Sequence, residues 1–124
     1  MEAIETTYDF SRDLIIVKAR GGLTAKHFLD WVTKHNYDQI TTRVIWNLTD
    51  ADLSDLRTDE ISLIALQTKN VMNALKGGKI AFVHENPLDY GVGRMLEAYM
   101  EIEEVPLTFR AFYKIDEASQ WLGV

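Results

Sequence analysis

The sequence predicts an α/β fold with a mixed, mostly parallel sheet of about five strands flanked by helices. Three observations predict it. Two β-rich runs near the amino terminus are separated only by a polar turn, two later runs are almost wholly apolar, and each run from the second onward is followed by a segment of helical periodicity. The predicted order of elements is therefore β-β-α-β-α-β-α-β-α.

The first two strands are predicted to form an antiparallel hairpin. Residues 4–8 and 14–19 are the β-rich runs, and Ser11-Arg12-Asp13 is the polar turn between them. We expect Gly21-Gly22 to break the second strand. Thr24 then stands as the N-cap of the first helix. The apolar stripe of this helix follows helical spacing at Phe28, Trp31, Val32 and His35.

The third strand and the second helix come next. Residues 43–48 are nearly continuous β-branched and aromatic sequence, which is typical of an interior strand, and residues 49–56 read as a polar loop with two spaced leucines. Thr58 is interpreted as the N-cap of the second helix, because the acidic residues Asp59 and Glu60 follow it. The helix is expected to end at Gly77-Gly78, with one face formed by Ile61, Ile64, Ala65, Thr68, Met72 and Leu75.

The last two strand-helix units complete the pattern. Residues 80–83 are predicted to form a buried strand, Pro87 to open the third helix, and Pro106 to prevent its continuation. Residues 108–113 indicate the final strand, and a short amphipathic helix follows over residues 115–122. Each β-α-β step should be a right-handed crossover to a parallel neighbour. One side of the third helix is expected to carry Leu88, Val92, Met95, Leu96 and Tyr99.

Composition narrows the classes of function. The 124 residues, 47% hydrophobic and 26% charged, suit one ordered domain over residues 1–124. A net charge of −6 without a basic patch predicts no nucleic-acid partner, and the acidic run at residues 97–104 is interpreted as a solvated helix face. The absence of cysteine excludes disulfides and cysteine-ligated zinc. With no signal peptide or membrane span, we expect a cytoplasmic protein.

Three stretches of the chain resemble the bacterial SpoIIAA-like (STAS-like) family. They are Asn47-Leu48-Thr49 at the end of the third strand, the run from Tyr90-Gly91-Val92-Gly93 to Arg94-Met95, and Asp116-Glu117-Ala118 with Trp121-Leu122-Gly123 near the end. The resemblance spans almost the whole chain. It implies a noncatalytic regulatory or protein-interaction domain, similar to anti-sigma-factor antagonists and to the cytoplasmic domains of sulfate transporters.

Phosphorylatable proteins of this wider fold carry an Asp-Ser-Ser-Gly-like turn before the helix that follows the third strand. Here the corresponding stretch, residues 53–60, lacks that motif. Ser54 and Thr58 are the hydroxyl residues near this place, so they are the candidate phosphorylation sites. A phosphate on either residue would meet like charges on Asp55, Asp59 and Glu60, although a helix start attracts it. A phosphoswitch is therefore disfavoured.

Polar residues collect beyond two strand ends, where parallel sheets bind ligands and helix N-termini point inward. Arg94 offers a bidentate fork to an anion, and Tyr90 offers a stacking face or a hydroxyl. The alternative is that the nearby glycines only permit close helix-to-sheet packing and that Arg94 pairs with Asp89 or Glu97. The predicted ligand-binding residues, for a small anion or a lipid, are Asn47, Thr49, His84, Asn86, Tyr90, Gly91 and Arg94.

No catalytic, cofactor or metal signature accompanies these residues. His27, His35 and His84 lack the spacing of paired metal ligands, and Gly91-Val92-Gly93 lacks the third glycine of a dinucleotide fingerprint. His84 lies beside Glu85, but adjacent strand residues face opposite ways and no nucleophile sits in a strained turn nearby. We therefore expect neither an enzyme, nor a cofactor, nor a metal.

Two functional hypotheses follow from the sequence. The first is a regulatory domain that docks a protein partner across the second and third helices. The second is a carrier or sensor of an acidic metabolite or lipid at the strand-end crevice. A homodimer stays open, because symmetric dimers are the commonest oligomers, although the sequence shows no self-complementary patch.

Overall fold

The computed structural model describes residues 3–34, 43–71 and 78–124. Along them the predicted α/β order is confirmed. None of the helices in these three ranges is long and apolar enough to cross a membrane. The elements are β1 (Ile4–Asp9), β2 (Leu14–Gly22), α1 (Ala25–Lys34), β3 (Arg43–Asp52), α2 (Thr58–Val71), β4 (Lys79–Val83), α3 (Pro87–Ile102), β5 (Thr108–Phe112) and α4 (Ile115–Leu122).

The sheet follows the order of the sequence, β1-β2-β3-β4-β5. β1 is antiparallel to β2, and every later pair is parallel. Right-handed crossovers that always step in the same direction bring their helices to the same face of a sheet. Accordingly, α1, α2 and α3 share one core cluster with the sheet, whereas α4 packs in a second cluster on the opposite face.

β3 and β4 lie side by side and are covered on both faces, as predicted. The register pairs Val44 with Ile80 and Trp46 with Phe82, and all four side chains enter the larger core. Aromatic contacts organise this core, because Trp46 stacks on Phe28 with ring centroids 5.1 Å apart and meets Trp31 edge to face at 5.0 Å. The opposite cluster contains the alternate strand residues with two from α4: Ile45, Ala81, Val83, Ala118 and Leu122.

The predicted ends of β2 and β3 are wrong. Gly21-Gly22 does not break β2, which runs to Gly22, and β3 continues to Asp52 through part of the stretch that reads as a loop. The two strands shift register between Lys18 and Arg20 and then pair again, to Gly22 with Asp52. Backbone pairing satisfies the polar groups of both extensions, so their polar side chains do not end the strands.

The predicted N-cap of α2 is also wrong. The helix begins at Thr58, so the capping position falls on Arg57. Its N–H donates to Glu60 Oε1 at 3.0 Å, and its carbonyl accepts from the N–H of Ile61 at 3.0 Å. A carboxylate that reaches back in this way satisfies a free helix N–H without a capping hydroxyl. By contrast, Thr24 does precede α1, and its N–H donates to His27 Nδ1 at 3.0 Å.

Four residues with predicted roles in helix packing or ending, His35, Met72, Leu75 and Gly77, lie outside the described residues. The buried faces predicted for α1 and α2 are confirmed elsewhere. The side chains concerned are at most 8% exposed: Phe28, Trp31, Val32, Ile61, Ile64, Ala65 and Thr68.

Arg43 joins two parts of the chain that are far apart in sequence. Its Nη2 donates to the Arg12 carbonyl at 2.7 Å, and its Nε donates to the Asp13 carbonyl at 3.4 Å. Its Nη1 donates to the carbonyls of Leu122 and Gly123, each at 3.4 Å. One guanidinium therefore ties the β1–β2 turn to the C-terminus of α4, where a cation also complements the helix dipole.

Arg43→Met is expected to lower the free energy of unfolding by about 2 kcal/mol, because carbonyl groups lose a charged donor while the aliphatic stem is kept. Urea denaturation measures the change. Arg20→Met is the control: Arg20 is exposed, and its ion pair with Glu5 spans 4.0 Å, so its loss should stay below about 0.5 kcal/mol. Equal losses in the two variants would contradict the proposed tie.

Candidate functional site

β5 forms one edge of the sheet, and among the described strands it pairs with β4 alone. The N–H of Thr108 donates to the carbonyl of Gly78, and the carbonyl of Phe112 accepts from the N–H of His84, each at 2.9 Å. In a parallel pair the intervening residues, Phe109 and Ala111, direct their backbone groups away from β4. These groups face the outside of the sheet.

A side chain of α3 already takes one of these outward groups. The N–H of Ala111 donates to Glu97 Oε2 at 2.9 Å. Glu97 belongs to the acidic run that the sequence predicts to be a solvated face, but its carboxylate is bound to the strand. The carboxylate oxygen thus stands where the carbonyl of a neighbouring strand would otherwise lie.

An open groove of about 310 Å³ runs between α3 and the edge of β5. We call it the edge groove. Side chains from three elements, α3, β5 and α4, contribute to it. The residues that carry its chemistry are Tyr90, Arg94 and Glu97 from α3, Arg110 from β5, Tyr113 after β5, and Glu117 from α4.

The edge groove combines stacked aromatic rings with two guanidinium groups. The Tyr90 and Tyr113 rings stack with centroids 4.2 Å apart and an interplanar angle of 14°. The hydrogen bond with Tyr90, and then the negative charge of Glu97, raise the pKa of Arg94. Arg110 lies 5.7 Å from the centroid of the Phe112 ring, and no carboxylate of the described residues forms an ion pair with it. Arg110 is therefore a cation available to an anionic group.

His84 extends β4 and lies beneath α3. Its side chain has no exposed surface, and neither Nδ1 nor Nε2 has a hydrogen-bond partner among the described residues. A Cβ atom at Gly93 would collide with Nε2, so the absence of a side chain there lets α3 approach. Burial lowers the pKa of His84 to about 4, which keeps the imidazole neutral near pH 7.

The start of α3 is fixed by two polar side chains. Asn86 is the N-cap, and its Oδ1 accepts from the N–H of Asp89 at 2.9 Å, with Pro87 following at the first helical position as predicted. Asp89 is buried, and its Oδ1 accepts from the N–H of Leu53 at 3.2 Å. This contact holds the loop after β3 against α3. Asn86 thus has a structural contact, and its predicted role in ligand binding stays a prediction.

Asn47 and Thr49 belong to a different polar cluster. Asn47 Oδ1 accepts from the Thr49 hydroxyl at 2.7 Å, and Lys18 Nζ lies 3.5 Å from Thr49 Oγ1 and 2.9 Å from Asp50 Oδ2. The Lys18 hydrogen bond, and then its charge, lower the pKa of Asp50. The cluster is formed by β2 and β3, two strands away from β5.

The seven predicted ligand-binding residues therefore divide among separate places. Tyr90 and Arg94 line the edge groove, and Gly91 lies on the exposed side of α3 with open space beside it. Within the described ranges, no hydrogen bond or ring contact joins this group to Asn47 or Thr49. Their joint role in one site stays a prediction.

The candidate phosphorylation residues lie on the surface before α2. The N–H of Ser54 donates to Asp52 Oδ1 at 2.9 Å, which forms a short turn after β3. Thr58 is exposed at the first position of α2. Phosphorylation of Ser54 or Thr58 therefore stays a disfavoured prediction.

Sequence reasoning misses four of the six residues that carry the chemistry of the edge groove. Glu97, Arg110, Tyr113 and Glu117 are absent from the predicted site. A signal was present for Arg110, because crossovers that always step in one direction leave the last strand at an edge. Glu97 stands three residues after Arg94 on the same helix, a spacing that places both side chains on one face.

The described part of the chain contains no group of three or more histidine, aspartate or glutamate side chains that could hold a metal ion.

Comparison with known proteins identifies similar solved structures. Among them is the 2.25 Å crystal structure of an uncharacterised protein of the DUF3478 family, with a SpoIIAA-like fold, from Shewanella loihica PV-4. The two chains are 18% identical, and the match covers 98% of this chain and 95% of that one with a TM-score of 0.63. No protein-family model and no curated protein matches the chain. The SpoIIAA-like fold predicted from the sequence is thus confirmed.

Proposed function

We propose that this chain is a noncatalytic protein-interaction domain that holds its partner in the edge groove. One observation carries the proposal: the outward N–H of Ala111 is bound by a side-chain carboxylate, and two guanidinium groups lie beside it. These donors can bind backbone carbonyl and carboxylate oxygens of a partner. Arg94 pairs with Glu97, and Glu117 also lines the groove, but no carboxylate of the described residues pairs with Arg110. Arg110 therefore favours an acidic group on the partner.

The surroundings of His84 support a noncatalytic role. A general base must reach the proton that it removes, but the His84 side chain is fully buried, and no hydroxyl or carboxylate of the described residues hydrogen-bonds to it. The edge groove presents guanidinium groups, tyrosine hydroxyls and carboxylates, and none of the described residues that line it is a serine or histidine. The groove therefore has groups that bind and lacks the usual pair of nucleophile and base.

A small acidic ligand is the second candidate, favoured by the size of the groove. Its volume of about 310 Å³ is at the lower end of the range of ligand pockets. A lipid tail has less support: the apolar gap between the sheet and α1, α2 and α3 has a volume of about 20 Å³ among the described residues. Such a gap accommodates about one water molecule.

The test is capture of partners from extracts of the source organism by the immobilised protein, followed by quantitative mass spectrometry. Arg94→Glu should reduce recovery of the specific partner at least about tenfold, because it reverses a charge in the groove. Arg20→Glu is the matched control, since it makes the same charge change on β2 and should leave recovery unchanged. Circular dichroism confirms that both variants are folded.

Two outcomes would contradict the proposal. One is equal recovery with Arg94→Glu and with the wild-type chain. The other is loss only with Leu66→Gln, which would place the partner on the outer face of α2, where Leu63 and Leu66 are 44% and 42% exposed. A thermal shift with small dicarboxylates that Arg94→Glu abolishes, without any captured protein, would instead favour the small-ligand candidate.

A further inference from the structure

Glu97 occupies a position that a backbone carbonyl can fill. Its Oε2 accepts from the N–H of Ala111, which is in the middle of β5 and points away from β4. Arg94 Nε lies 3.5 Å from the same Oε2 atom, so Glu97 can retain a cationic partner when it leaves Ala111. The bond from Ala111 to Glu97 is therefore one that an incoming chain can replace by exchange of acceptors.

Arg110 adds a charge that no carboxylate of the described residues neutralises. It alternates with Ala111 along β5 and lines the same groove, and its described contact is with the Phe112 ring. A segment lying along β5 would thus meet an outward N–H at one residue and a guanidinium at the residue before it. Guanidinium groups bind carboxylates through charge-assisted, often bidentate hydrogen bonds.

We propose, on the basis of the proposed function, that the partner contributes an extended segment that pairs with β5 as a sixth strand and carries an acidic side chain to Arg110. A carbonyl of this segment replaces Glu97 at the N–H of Ala111. The main-chain bonds supply affinity, and the acidic side chain supplies selectivity, as in other cases of strand addition to a sheet edge.

Selection from a displayed library of random peptides of about twelve residues tests the occupant. Selection against the wild-type chain, with counter-selection on Arg110→Ala, should enrich peptides that contain aspartate or glutamate. Replacing that acid by its amide should weaken binding at least about tenfold, and so should Arg110→Ala. Arg20→Ala is the matched control and should leave the affinity of the same peptides unchanged.

Backbone pairing has its own signature. N-methylation of peptide amides that face β5 should abolish binding, whereas N-methylation of the alternate amides should leave it within about twofold. In spectra of the ¹⁵N-labelled protein, the amide resonance of Ala111 should shift on binding. The dependence on which amides are methylated requires main-chain hydrogen bonds and would not arise from a carboxylate that binds the arginines alone.

Glu97→Gln distinguishes two roles for Glu97: its carboxylate either competes with the incoming peptide for the N–H of Ala111 or only protects the edge of β5. The amide oxygen still accepts from Ala111 but is a weaker acceptor, so peptide affinity should rise by about threefold or more. If Glu97 serves only to prevent edge-to-edge association, the variant will dimerise in light scattering and its peptide affinity will stay unchanged. That result would overturn the inference.

Three further results would also overturn the inference. In the first, the selection yields no peptide whose binding depends on Arg110. In the second, methylation of either set of peptide amides weakens binding equally. In the third, free glutarate displaces the peptide completely and binds as tightly as the peptide does. In each case a protein captured through Arg94 would still support the proposed function. If no protein is captured through Arg94 but peptides do pair with β5, the proposed function is contradicted, while strand addition at the edge of β5 is supported.

Discussion

Gly93→Ala is expected to lower the free energy of unfolding by about 3 kcal/mol, whereas Gly91→Ala is expected to raise it by about 0.5 to 1 kcal/mol. The added methyl at Gly93 meets Nε2 of the buried His84 ring, so α3 must move away from the sheet. At Gly91 the same methyl meets no atom within 4 Å, and alanine favours the helix. Urea denaturation of both variants measures the difference.

Double-mutant cycles with His84→Ala test the cause of the difference between Gly93→Ala and Gly91→Ala. In the double variant Gly93→Ala with His84→Ala, the new methyl has room. The loss of unfolding free energy in the double variant should therefore be about 2 kcal/mol smaller than the sum of the losses in the two single variants. Gly91→Ala with His84→Ala should be additive within about 0.5 kcal/mol. Simple additivity at Gly93 would show that its loss has another cause than the His84 ring.

Acid is expected to remove about 3 kcal/mol of stability through His84 alone. Its pKa is about 4 in the folded chain, against an ordinary value of 6.5, because burial penalises the charged imidazolium. The unfolded state therefore binds more protons between these values. The contribution is fully present above pH 6.5, declines as the pH falls, and is lost once the pH passes through about 4.

Urea denaturation at pH 7.5 and at pH 4 measures this loss. The carboxylates contribute their own pH dependence, so the informative quantity is the difference between variants. His84→Leu should reduce the acid loss by about 3 kcal/mol, because it removes the titrating group and fills the apolar space. His27→Gln should retain the full loss, since His27 is a partly exposed residue of α1. Identical pH dependence in the wild-type chain and His84→Leu would contradict the role of His84.

Hydrophobic periodicity explains why the fold could be predicted. Apolar residues at period two and at helical spacing report which faces are buried, and Trp46 and Phe82 are found in the core as expected. Element ends depend on backbone partners, and the sequence pattern does not report these. β3 extends to Asp52 only because β2 pairs with it beyond the register shift.

The candidate site could be predicted only in part, for a geometric reason. Tyr90 and Arg94 are four residues apart on α3, so their shared face follows from helix geometry. Apart from Glu97, their neighbours come from β5, from Tyr113 after it and from α4, and only the order of the strands in the sheet brings these to α3. Asn47 is predicted to end a strand, but it lies inside β3, and its hydrogen bonds are to Thr49, in a cluster with Lys18.

The correspondence between sheet order and chain order has a consequence for biosynthesis. Each new β-α unit can dock on a strand that has already left the ribosome, so the sheet can grow from one side without waiting for distant segments. The residues of the edge groove, from Tyr90 to Glu117, all emerge after β4. A nascent chain therefore acquires its hairpin and first crossovers before it is able to engage a partner.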